Sequence, residues 1–328
     1  MRPGQGVRRS PARRAPPPLR RGVRPKPRRR RRAPAPPHAG TVLARSLDER
    51  WKACLRNLRR TRTRFSENAV HDLRVATRRL LATVDIVLAV LPDEEMQRRR
   101  RRLKKQVDLF DPLRDTQVQL LAFDEITGAH TAGAPFGTML RLREKVLVRR
   151  LSGRLQRIRP AVLGRTIAAM RRQVLEVGED PAGREALRAA MIGSAGMAFT
   201  RCVQLLRAVD PDRTATIHRL RLAFKRFRYR VEALAPLVGT VGEAELKAMN
   251  AYQVRMGEVQ DSEVMIRSFN AFVLQRPPAS RAGLRPLQME LLRRRTAAVE
   301  EFLRGADDLH AFWGPLRAAA SGTGGREQ

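Results

Sequence analysis

Acidic residues, cysteine and aromatic side chains are all scarce in this chain of 328 residues, which has 32 Asp and Glu against 67 Lys and Arg, two cysteines and 5% aromatics. Each shortage excludes something. The missing acid leaves a formal net charge of +35. That rules out the near-neutral surface of an ordinary metabolic enzyme and points to a polyanionic partner, because such a charge attracts phosphate-rich ligands over long range. Cys54 and Cys202 stand far apart with no CxxC or Cys/His cluster, so neither a disulfide framework nor a zinc site is indicated. Both read as small buried apolar side chains in a reducing, cytoplasmic setting. The poverty in aromatics removes the interleaved rings on which nucleic-acid bases stack. Long hydrophobic runs are lacking too: Leu80–Leu91 is 12 residues long and contains Asp85, short of the roughly 20 that cross a bilayer. The N-terminal arginine pairs are followed by no apolar segment of a signal peptide. No P-loop, no paired carboxylates for Mg²⁺ and no activated nucleophile are evident, so no catalytic residue, cofactor or metal ligand is assigned.

What is present falls into two parts. Residues 1–40 hold 14 Lys and Arg, 10 Pro and no acid, including the run Arg28–Arg32. Proline, like-charge repulsion and the scarcity of large apolar side chains make this an expected disordered basic tail. The other 288 residues still carry 53 basic against 32 acidic side chains, so the bias belongs to the folded part as well. There the apolar spacing is helical: Leu140, Leu147, Leu151, Leu155 and Ile158 share one stripe, with Arg149, Arg150, Arg154 and Arg157 on other faces. Breakers fall at Leu91-Pro92-Asp93, Thr127 to Gly137, Gly178 to Gly183, Pro236 to Gly242 and Arg276-Pro277-Pro278. The expected architecture is all-α.

Self-comparison adds a repeat. The segment His71-Asp72-Leu73-Arg74-Val75-Ala76-Thr77-Arg78-Arg79-Leu80 recurs as His218-Arg219-Leu220-Arg221-Leu222-Ala223-Phe224-Lys225-Arg226-Phe227. In phase with it, Leu113-Arg114-Asp115-Thr116-Gln117-Val118 recurs as Val259-Gln260-Asp261-Ser262-Glu263-Val264, and Cys54-Leu55 as Cys202-Val203. The chain therefore reads as a duplicated helical unit, with halves at about 41–178 and 184–318 and a flexible tail at 319–328.

At about 100° per residue, His71, Arg74 and Arg78 lie within about 60° of one another, and Leu73, Leu80 and Val84 lie opposite. The second copy aligns His218, Arg221 and Lys225 in the same way, with Arg228 and Tyr229 at the edges of that face and Leu220, Phe227 and Val231 behind. Such a stripe suits phosphate, because guanidinium groups pair bidentately with its oxygens. The plainer reading is a solvated helix face, but solvation gives no reason to keep His, Arg and Arg/Lys at the same three positions twice. Either histidine alone would read as a hydrogen-bonded core residue. Asp115 and Asp261, kept in both copies, either orient arginines behind the ligand face or serve as a cap or core ion pair. Tyr229 either reaches phosphate through its hydroxyl or packs.

The pattern His71, Arg74, Arg78, Arg79, its copy His218, Arg221, Lys225, Arg226, Arg228, Tyr229, and the later Arg114-Asp115 and Gln260-Asp261 resemble the CHAD family, the conserved histidine α-helical domain, over about residues 41–318. The resemblance implies two pseudo-symmetric four-helix bundles around a basic central cleft. It implies binding of inorganic polyphosphate through those ten residues, with Asp115 and Asp261 supporting them from behind, and targeting to polyphosphate granules without catalysis. Leu81 stands where the second copy has Arg228, and Asp111-Pro112 replaces the glycine turn kept at Gly257, so a weaker grip is expected in the first half. The triphosphate-tunnel motif Glu-x-Glu-x-Lys that accompanies many relatives does not occur. The competing functions are a nucleic-acid binder, held through the basic tail, and a phosphohydrolase or phosphoryl-transfer enzyme.

Overall fold

The computed structural model describes residues 38–320 apart from 127 and 129; residues 1–37 of the N-terminal tail, and all but the start of the C-terminal one, lie outside the described residues, while the last three residues assigned to the N-terminal tail belong to the fold, His38 capping α1 and Ala39 and Gly40 opening it. Among the described residues there is no strand. The chain runs through α1 (Ala39–Thr63), α2 (Glu67–Val90), α3 (Glu94–Asp108), α4 (Asp111–Asp124), α5 (Ala134–Gln156) and α6 (Pro160–Val177). It continues through α7 (Pro181–Arg207), α8 (Ala215–Val238), α9 (Glu243–Leu274), the single turn α10 (Pro278–Arg281), α11 (Arg285–Arg304) and α12 (Gly314–Ala320).

Local chemistry sets these boundaries. The Ser66 hydroxyl accepts from the amide of Ala69 to start α2, and Asp93 and Asp180 do the same for α3 and α7. Proline occupies the first turn of α4, α5, α6, α7 and α11, where the missing N–H costs nothing. Gly239 closes α8 at φ 67°, a left-handed conformation that glycine adopts without penalty. Pro236 lies inside α8, so the Pro236–Gly242 breaker acts at its glycine.

The core does not divide by half. One apolar cluster joins Leu43, Leu80, Leu151 and Met170 to Leu187, Phe224, Tyr252 and Phe302. A second joins Phe123, Phe136 and Leu140 to Phe269, Phe272 and Leu287, with the Phe136 ring 5.1 Å from Phe269 and 5.5 Å from Phe123. The scarce aromatics are spent here: eight phenylalanines are buried, out of reach of any base. Cys54 and Cys202 are free and buried, and burial pushes the Cys202 thiol up to about 12.

Among the described residues one helix, α7, is long and apolar enough by length and composition to cross a membrane, with 28% of that window buried; Gly, Ser and Thr interrupt its apolar residues, so no continuous hydrophobic run marks it in the sequence. Leu187, Met191, Ala195 and Cys202 of α7 lie in the core. Tyr252 ties α9 to the segment after α11 by donating its hydroxyl to the carbonyl of Ala306 at 2.8 Å. Tyr252→Phe should lower stability by about 1 kcal/mol, read from denaturant midpoints at unchanged slope.

Candidate functional site

The cationic stripes sit on α2 and α8, which pack against each other. Their apolar backs are buried as the periodicity requires, Leu73, Leu80 and Val84 on one and Leu220, Phe227 and Val231 on the other. Their fronts meet. Burial, then the charges of Arg78, Arg221, Arg74 and Arg228, depress the Lys225 ammonium to about 7, so one lysine feels arginines from both helices. Burial also lowers His71 and His218, with further lowering from Arg114, Arg74 and Lys225 at His71 and from Arg221 and Arg267 at His218. Both imidazoles therefore give up their proton more readily than a free histidine does.

The floor of this cluster comes from α4 and α9. Asp115 is pushed up by burial and by Asp111, against the pull of Arg74, Arg143 and Arg221. Asp261 is pushed up by burial, while Arg221 and Arg114 pull it down and Asp115 pushes it up again. Both acids of the repeat therefore face the same arginine and each other.

The arginines differ in how they are held. Arg74 donates to Asp111, and Arg78 reaches the same carboxylate at 3.0 and 3.1 Å. Arg114 donates to Glu67 at 2.7 Å. Arg221 makes no ion pair among the described residues, and its Nε is buried without a hydrogen-bond partner, as are Arg74 Nε and His218 Nδ1. Buried donors left unpaired cost about 1–3 kcal/mol each, and a buried group of like charges adds repulsion. An anion carrying many acceptors would relieve both.

His71, Arg74, Arg78, His218, Arg221, Lys225, Asp115 and Asp261 thus come together, while four other residues of the motif do not. Arg79 turns to Glu232 at 3.2 Å and lines a separate cleft of about 590 Å³ with Arg45 and Arg50. Arg226 is exposed on the outside of α8. Arg228 and Tyr229 are each only 6% exposed; Arg228 donates to Asn250 of α9 and pairs with Glu232 at 3.5 Å, and so reaches Lys225 through its field. Asp111, Arg143 and Gln260 belong to the cluster but were not singled out as ligand-facing residues. The Gln260-Asp261 repeat was a signal for Gln260; Arg143 lies on a helix with arginine on several faces and gives none. Among the described residues no group of His, Cys, Asp or Glu could hold a metal ion.

The CHAD domain model matches residues 45–270, well over half of the chain. The chain belongs to the CHAD family. Two solved structures resemble it: a CHAD domain from the plant Ricinus communis, with a TM-score of 0.61 at 19% identity over 87% of this chain and 93% of that one, and PptA from Streptomyces chartreusis, with a TM-score of 0.58 at 18% identity over 83% and 100%. At such identities the likeness establishes the fold. No curated protein matches the chain in sequence. The CHAD match takes in both stripes, from His71 to Arg78 and from His218 to Lys225.

Proposed function

We propose that this protein binds inorganic polyphosphate in the cluster between α2 and α8, without catalysing a reaction on it, and gathers at polyphosphate granules in the cytoplasm. The observation that carries the reading is the convergence of two separate cationic stripes onto one partly buried place, with Arg221 unpaired and Lys225 driven down to about 7. Membership of the CHAD family, which is linked to polyphosphate, supports the choice of polyanion. A flexible polymer with roughly one charge per unit can follow such a cluster, releasing its counterions as it binds. A duplex presents its phosphates at fixed spacing on a rigid surface and fits a partly buried cluster less well.

The test is a competition titration of the full chain at near-physiological salt, with long-chain polyphosphate against duplex DNA and RNA of matched phosphate content. Polyphosphate should win by about tenfold or more. Equal competition would mean that net charge alone selects the partner, and the cluster reading would fall. Phosphate release from polyphosphate with added Mg²⁺ would overturn the non-catalytic part, and a fluorescent fusion that stays diffuse in granule-containing cells the localisation.

A further inference from the structure

The two halves of the cluster are built differently at one position. In the second half α9 runs unbroken through Gly257, so the glycine turn expected there does not form, and a Cβ added at that position would lie 3.8 Å from Nε and Nη2 of Arg221. In the first half the matching position is Asp111. Pro112 cannot continue a helix, since it lacks the N–H and its ring clashes with the carbonyl four residues back. The chain therefore ends α3 and begins α4 at Asp111. That restart puts the Asp111 carboxylate onto both Arg74 and Arg78.

We infer that Asp111 is a built-in competitor for the anion: its carboxylate occupies the position on Arg74 and Arg78 that a phosphate would take, and it makes the two halves of the site unequal. This deepens the polyphosphate reading and rests on it. A carboxylate accepting from two arginines uses the same planar donors that a phosphate uses. On the α8 side, where glycine stands at that position, Arg221 meets the ligand directly. On the α2 side the ligand must first displace Asp111. A short anion is satisfied by the α8 side alone, whereas a long chain supplies enough phosphates to displace the carboxylate as well. Asp111 is thus a specificity-determining residue that disfavours short phosphates.

The test is reciprocal and uses the full chain with two probes, inorganic triphosphate and long-chain polyphosphate, titrated calorimetrically. Asp111→Asn keeps the shape and removes the charge. It should raise triphosphate affinity about tenfold and steepen the salt dependence by roughly one counterion. Gly257→Asp should move the competitor onto Arg221 and lower triphosphate affinity about tenfold. Gly257→Ala, whose methyl group meets ordinary contact distance, should change it less than about twofold. Thermal melts of each variant separate a folding defect from a binding effect, and the two opposite shifts cannot both come from instability. If wild type binds polyphosphate but Asp111→Asn and Gly257→Asp leave triphosphate affinity unchanged, the inference is wrong and the reading beneath it stands. If wild type fails to bind polyphosphate, both are wrong.

Discussion

Reversing Arg74 and Arg221 together to glutamate should reduce polyphosphate affinity by more than about a hundredfold, while replacing His71 and His218 together by alanine should cost less than about tenfold. Hydrogen bonds to charged groups contribute about 1.5–3 kcal/mol each, so losing two arginines alone accounts for two or more orders of magnitude, and each new carboxylate adds repulsion. Arginine keeps its charge at every accessible pH. The histidines do not, because burial and the adjoining cations hold them below their usual range. They therefore offer the anion less charge than the arginines do. Anisotropy titrations with labelled polyphosphate at fixed salt would measure both losses, with circular dichroism to show that the helices persist. The N-terminal tail is common to both variants and cancels in the comparison. Small, equal losses in the two variants would remove the cluster from the account and return the function to net charge.

The difference between these pairs was legible in the sequence because helical periodicity reports which residues share a face. It placed Leu73 and Leu80 inside and Arg74 and Arg78 together, and the repeat indicated that α8 would answer α2. Periodicity is silent about which neighbour covers that face. Arg228 and Tyr229 sit at the edge of the same stripe, yet α9 supplies Asn250 to Arg228, and both side chains are closed off. Arg79 turns away because Glu232, one turn beyond Arg228, gathers it with Arg50. Contacts between residues about 150 apart leave no trace in local spacing. For the same reason the mixing of the halves in both cores could not be anticipated from the repeat. Breaks without glycine or proline, such as Arg64–Ser66 between α1 and α2, give little local signal. Asp111 was visible only as a departure from glycine; its reach to two arginines needed the fold.

Affinity for polyphosphate should fall as pH rises from about 6 to 9, by up to two orders of magnitude, and Lys225→Met should flatten that profile. Free Lys225 titrates near 7 because burial and the arginines from α2 and α8 oppose its charge. A bound polyanion reverses the balance and returns the ammonium toward its usual value near 10.5. Between those values the complex holds more protons than the free protein, so binding takes up close to one proton at pH 8 and weakens as pH rises through the window. Below about 7 both states are protonated and the dependence on this group ends. Calorimetry in buffers of different ionisation enthalpy measures the uptake directly, and no uptake at pH 8 would show that Lys225 does not meet the ligand. Stability of the free protein runs the other way. The unfolded chain, with lysine near 10.5, binds more protons than the folded one between about 7 and 10, so the ligand-free protein gains stability as pH rises through that window. Lys225→Met should therefore melt higher than wild type at pH 6 while binding polyphosphate more weakly there. A side chain that destabilises the free fold and strengthens the complex is what a site held ready for an anion requires; a buried lysine without that role would also melt higher on replacement but would leave polyphosphate binding unchanged.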